Sequence, residues 1–245
     1  MKSFEFELNY LKPLMIGRLK LTCAVEEKFE KEAVPETYEF KFICKFDCYP
    51  KCCSNVIIFL TPYDIDNISQ YLSISNGELI KNYCRGDTEG NSLFPICILD
   101  TNPCCKFNKK GICEIYPARP LICRLYPVGR SYDINNDKNK KTKIRKEKFV
   151  IDEGCRGVGE GRTYTIKSFL KEQGVDKYTK IMRMFNAILE KWCVLPESAR
   201  LKLNRTAATI CYYSKPLDTQ FPEKLFIARM KNLRNLITAS IEELG

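Results

Sequence analysis

There is no histidine among these 245 residues. That removes Ser-His-Asp triads, Cys/His nucleophilic dyads, imidazole proton shuttles and every mixed Cys/His zinc site. Missing too is any C-x-x-C pair, the usual unit of zinc ribbons and knuckles. No apolar run approaches the roughly 20 residues of a spanning helix, so no membrane role is expected. The opening stretch, "MKSFEFELNYLKPLM", alternates charged and apolar residues and has no apolar signal segment. The expected compartment is therefore the cytoplasm.

What is present is cysteine, fourteen times. A chain of this size buries a full core and does not need disulfide staples. In a reducing compartment such a pattern reads as metal-binding or catalytic. Without imidazole, a metal here is held mainly by thiolate, which favours iron–sulfur clusters, zinc or Cu(I) over hard ions. Proline is concentrated as well. "CEIYPARPLICRLYP", residues 113 to 127, carries three prolines around Cys113 and Cys123. Each fixes the backbone and removes a hydrogen-bond donor.

The chain reads as α+β: a cysteine-rich domain of loops, short helices and a β-hairpin over residues 1–165, then a helical region over 166–245 packed on it. "SFEFEL" and "YEFKFIC" alternate like strands feeding the first cysteines. "TPYDIDNISQYL" opens a helix, with Thr61 as N-cap, Pro62 at the first helical position and Asp64 in the first turn. "VGRSYDI" and "KTKIRKEKFVID" alternate around the turn "NNDKNK", which predicts a hairpin. "DKYTKIMRMFNAILEKW" places Ile181, Met184, Phe185, Ile188 and Trp192 on one stripe, and "PEKLFIARMKNLRNLITASIEEL" forms another long helix.

The cysteines fall into groups. "FICKFDCYPKCC" holds Cys44, Cys48, Cys52 and Cys53, with the vicinal pair expected to point in different directions. Cys104, Cys105, Cys113 and Cys123 form the second group, and Cys155 lies in "DEGCRGVGEG". The first group is one residue too wide for the C-x-x-x-C-x-x-C loop of radical S-adenosylmethionine enzymes. The glycine-rich stretch lacks the Lys-Ser/Thr ending of a phosphate loop. Its glycines are expected to let backbone pass close to a cluster sulfur.

Cys105, Phe107, Cys113, Ile115, Tyr116, Arg119, Pro120, Cys123, Arg124, Tyr126 and Pro127 match "C-x-F-x-x-x-x-x-C-x-I-Y-x-x-R-P-x-x-C-R-x-[FY]-P". This resembles the YkgJ-type cysteine-cluster family, described as zinc- or iron-chelating. An upstream C-x-x-C-x-x-C-C group and a "T-P-x-D-I" helix of that family correspond to Cys44–Cys53 and Thr61–Ile65. A late "C-x-G-x-G-x-G" corresponds to Cys155, Gly157, Gly159 and Gly161. The resemblance covers about residues 42 to 165, and the gaps of the first block are each one residue wider here. It implies Cys44, Cys48, Cys52, Cys53, Cys105, Cys113, Cys123 and Cys155 as metal ligands. Eight thiols suit one or two [4Fe-4S] clusters, or one cluster with a second metal; zinc is the alternative. Arg119 and Arg124 supply positive charge and hydrogen bonds around the centre. Cys23, Cys84, Cys97, Cys193 and Cys211 read as packing thiols.

Flagellin lysine methylases share this cysteine block, so the resemblance extends to protein modification. Any enzyme activity would then be protein lysine methyltransferase-like. The alternatives are redox chemistry, metallocentre maturation, or a zinc-stabilised interaction module. A protein partner is expected, because no small-molecule catalytic constellation is evident. The net charge of +10 is concentrated in "KNKKTKIRKEK", residues 138–148. That hairpin offers contact to nucleic acid phosphates, or simply protects an edge strand from aggregation.

Overall fold

The computed structural model describes residues 33–45, 51–54, 56–85, 94–134, 145–213 and 221–243. "SFEFEL", the 135–144 connection of the predicted hairpin, Cys23 and Cys48 lie outside the described residues. The chain divides into two compact units, each discontinuous in sequence. One comprises the described parts of Met1–Cys48 with Arg124–Asp176, the other the described parts of Tyr49–Cys123 with Lys177–Gly245.

In the first unit, β1 (Glu39–Phe42) is the "YEFKFIC" strand. It pairs antiparallel with a strand over a hundred residues away, Arg162–Thr165, in the register Glu39↔Thr165. The predicted hairpin forms from Val128–Ile134 and Arg145–Ile151, in the register Val128↔Ile151. Phe169, from the short helix Ile166–Glu172, packs edge-on to Phe40 and Phe42, each at 5.5 Å. Aromatic edges on ring faces add to area burial, and these rings fix the strand that leads to Cys44.

The second unit is mainly helical. A three-stranded sheet runs in the order β2 (Ile58–Leu60), β4 (Cys97–Leu99), β3 (Cys84–Arg85). Helix α1 (Pro62–Leu72) starts as the sequence predicts: Thr61 accepts the Asp64 N–H at 3.1 Å, and Asp64 accepts the Thr61 N–H at 2.9 Å. This reciprocal capping satisfies two amide donors that a helix start otherwise leaves open. Helix α2 (Asn76–Tyr83) repeats the device with Ser75 and Glu78.

The two long helices occur where expected, Asp176–Val194 and Pro222–Glu242, with Glu197–Ala208 between them. Ile181, Phe185, Ile188 and Trp192 are buried as a stripe, with Phe94 edge-on to Trp192 at 5.3 Å. An interior ion pair, Arg229 to Asp66 at 2.5 Å and 2.6 Å, ties the last helix to α1. Removing one partner of such a pair would strand an uncompensated charge.

Candidate metal centre

Local chemistry delivers the thiols of the second unit. Lys110 and Gly111 have positive φ, 54° and 93°. That double left-handed turn suits a two-residue hairpin, whose twist matches its strands. Asn108 Oδ1 accepts the Gly111 N–H at 3.0 Å and braces it. The turn pairs strands Asn108–Lys109 and Ile112–Cys113, setting Cys113 opposite Asn108. The Asn108 N–H in turn donates to the Cys105 carbonyl at 2.9 Å. The seven residues between Cys105 and Cys113 are thus a hairpin that folds the second thiol back toward the first.

A short helical turn, Lys51–Cys53, carries the vicinal pair. The Cys52 and Cys53 sulfurs hydrogen-bond at 3.8 Å, so they face one another rather than diverging as expected. The Cys105 N–H donates to the Cys53 carbonyl at 2.6 Å, joining this turn to the hairpin. The hydrogen bond to Cys53, with burial, pushes the Cys52 thiol far above its ordinary range. Burial raises the Cys105 thiol to about 11, with Cys113 and Cys104 adding to it. Burial also raises Cys113; the Arg119 charge opposes that, and Cys52 reinforces it. Cys52, Cys105 and Cys113 therefore share one electrostatic neighbourhood with Cys53 and Cys104.

The proline-rich segment is held from behind. Tyr116–Ala118 makes one tight turn, and Leu121–Leu125 is a short helix bearing Cys123. Helix α1 and the helix Asp176–Val194 grip the connection. Asn67 donates to the Ala118 carbonyl at 3.2 Å, Tyr178 donates to the Arg119 carbonyl at 3.4 Å, and Asp64 accepts the Leu121 N–H at 3.3 Å. The "T-P-x-D-I" block thus caps a helix and anchors the stretch between Cys113 and Cys123. Arg119 lies over the Tyr116 ring at 4.1 Å. Arg124 is buried, and its Nη1 donates to the Gln173 carbonyl at 3.1 Å.

In the first unit, the glycine-rich stretch passes against the residues leading to Cys44. The Ile43 N–H donates to the Gly157 carbonyl at 3.1 Å, and Lys45 pairs with Glu160 at 2.5 Å. A Cβ on Gly157 would fall 2.1 Å from the Ile43 carbonyl oxygen, so only glycine fits. The close approach is to this backbone, where the sequence suggested a sulfur. The stretch leads into a strand, Arg162–Thr165, with no helix N-terminus immediately after it as a phosphate loop requires. Cys44 is exposed and Cys155 half-buried.

Do these residues fit a soft metal? Two thiolates on one tetrahedral ion, at a metal–sulfur distance of about 2.3 Å, stand about 3.8 Å apart. The Cys52–Cys53 spacing meets that. As the side chains stand, no three of Cys, Asp or Glu converge closely enough to hold one ion among the described residues. Cys48, an expected ligand, lies outside them. The donor set fits thiophilic metal chemistry. Cys97 and Cys211 are buried, while Cys84 and Cys193 are half-buried. The proximity of Cys84 to Cys97 was not foreseen, because it depends on strand register.

A family model matches residues 43–156: CxxCxxCC, "Putative zinc- or iron-chelating domain". No curated protein and no solved structure matches the chain. No helix among the described residues is long and apolar enough to cross a membrane.

Proposed function

We propose that the protein binds an iron–sulfur centre through cysteine thiolates, a reading supported by the match of residues 43–156 to the CxxCxxCC family model. The observation that carries this reading is a histidine-free group of thiols, Cys52, Cys53, Cys105 and Cys113, with Arg119 beside it. Thiolates around an iron–sulfur centre accumulate negative charge, which cations and hydrogen bonds offset. Arg119 supplies the cation, and its backbone is held by Tyr178. Bound iron would supply electron transfer or Lewis-acid chemistry; the chain's own residues position the thiols and balance their charge.

Zinc is the second reading, favoured by the 3.8 Å separation of Cys52 and Cys53, which is the spacing of two ligands on a single ion. Anaerobic purification distinguishes the two. Iron with acid-labile sulfide in brown protein supports the first. Stoichiometric zinc in colourless protein overturns it.

The centre is proposed to act with a protein partner, in redox chemistry, metallocentre maturation or protein modification such as methylation. Ile112 and Tyr116 support this reading, because both are exposed beside Cys113. Large apolar side chains clustered at a site are a common mark of docking.

A further inference from the structure

Cys84 and Cys97 lie outside the thiols assigned to metal, and they meet across a sheet edge. β3 and β4 run antiparallel, with Cys84 opposite Leu99 and Arg85 opposite Ile98. Side chains alternate between faces, so Cys97, two residues before Leu99, shares the face of Cys84 and stands diagonal to it. The register places the two thiols near enough for each to influence the other. Their exposure differs: Cys84 is half-buried at the end of α2, while Cys97 is buried opposite Leu60. The Tyr212 hydroxyl donates to the Pro95 carbonyl at 2.9 Å and lies near Cys97.

We propose that Cys84 and Cys97 are an exchangeable dithiol, which closes to an intramolecular disulfide by exchange with a small-molecule disulfide. Exposure sets the order of steps. The Cys84 thiolate attacks one sulfur of the incoming disulfide; that S–S bond breaks, a mixed disulfide forms on Cys84, and the first thiolate leaves. Cys97, already nearby, then attacks the Cys84 sulfur and expels the second thiolate. The protein loses two electrons and two protons. The small disulfide gains both and departs as two thiols. Cys97 is poorly suited to open the sequence, because it is buried and the nearby Cys84 favours its protonated thiol.

The fold also makes the bridge reversible. A diagonal cross-strand pair sits near the outer limit of disulfide geometry, so closure must draw β3 inward. β3 is an edge strand of two residues with few pairings to resist. Strained bridges are more oxidising and more easily reduced than structural ones.

The test uses the metal-loaded protein equilibrated anaerobically in glutathione buffers, then acid-quenched, alkylated and digested for mass spectrometry. In oxidised glutathione, a linked peptide pair containing Cys84 and Cys97 is expected, two hydrogens lighter than the separate peptides. Reduced glutathione should restore both thiols. Cys97→Ser should arrest at one glutathione on Cys84, and Cys84→Ser should leave Cys97 unmodified. The wild-type linkage stands as evidence even where a substitution fails to fold. Full alkylation of both thiols after oxidising equilibration overturns the proposal. So does a glutathione resting on Cys97, or a linkage from either residue to a metal-centre cysteine.

Discussion

At the scale of single residues, the proposed metal centre draws on thiols that burial and neighbouring cysteines favour in the protonated form. Metals bind the deprotonated form, so binding must expel protons from groups whose surroundings retain them. Burial raises Cys193 as well, so a shared neighbourhood, not protonation, divides the proposed ligands from bystanders. Cys52→Ser, Cys105→Ser or Cys113→Ser should each abolish most metal binding, since each removes a donor from one shared neighbourhood. Cys193→Ser should leave metal content unchanged: Cys193 lies in the last turn of a helix, with its thiol raised mainly by burial. Metal analysis of the four variants, prepared anaerobically, checks this; equal loss in all four would refute the division. The thiols belonging to the block were legible because their spacing is written along the chain. The mutual approach of Cys52 and Cys53 was not, because it depends on the helical turn that places both sulfurs on one side.

Elements supply the preorganisation, and two of them are open to test. The hairpin bearing Cys113 requires positive φ at Gly111, where a β-branched side chain is strained. Gly111→Val should cost about 1–2 kcal/mol and speed metal release to a chelator, followed by loss of absorbance. Release at the wild-type rate would show that the hairpin does not hold the ligand. Helix starts form the second case. Thr61→Ala should lower stability by about 1 kcal/mol in denaturant unfolding, the usual worth of an N-cap. Asp64→Ala should cost more, since Asp64 also accepts the Leu121 N–H that anchors the proline-rich segment.

In the cap of α2, backbone and side-chain hydrogen bonds from Ser75 hold Glu78 below its ordinary carboxylate range. A lowered pKa contributes stability above the unfolded-state value and loses it as pH falls. The contribution should therefore disappear below about pH 4.3, the unperturbed glutamate value. Glu78→Gln should flatten that part of the pH–stability curve. The Thr61 start was readable because its partners lie within three residues, whereas the equally local α2 cap was not anticipated. The pairing of β1 with the strand at Arg162–Thr165 was not readable, because no local pattern specifies a partner so far along the chain.

For the molecule as a whole, the net charge of +10 and the apolar residues beside Cys113 imply different partners. Charge alone attracts any polyanion, and such binding falls steeply with salt as released counterions are replaced. Part of the charge is already engaged: Arg130, buried in the strand pair, bonds Glu147 at 3.2 Å. Association through Ile112 and Tyr116 would instead bury apolar surface, which salt screens little. Tyr116 also lies beneath the Arg119 guanidinium, so this surface is continuous with the group that balances charge at Cys113. A partner docking there should sense whether metal is bound. Anaerobic affinity capture is therefore expected to retain a protein partner well above about 200 mM salt, where non-specific nucleic acid binding is largely lost. Removing metal with a chelator should release it. Ile112→Ser should weaken capture while metal content stays constant, separating docking from ligation. If only nucleic acid is recovered, and modest salt removes it, residues 138–148 are the working surface.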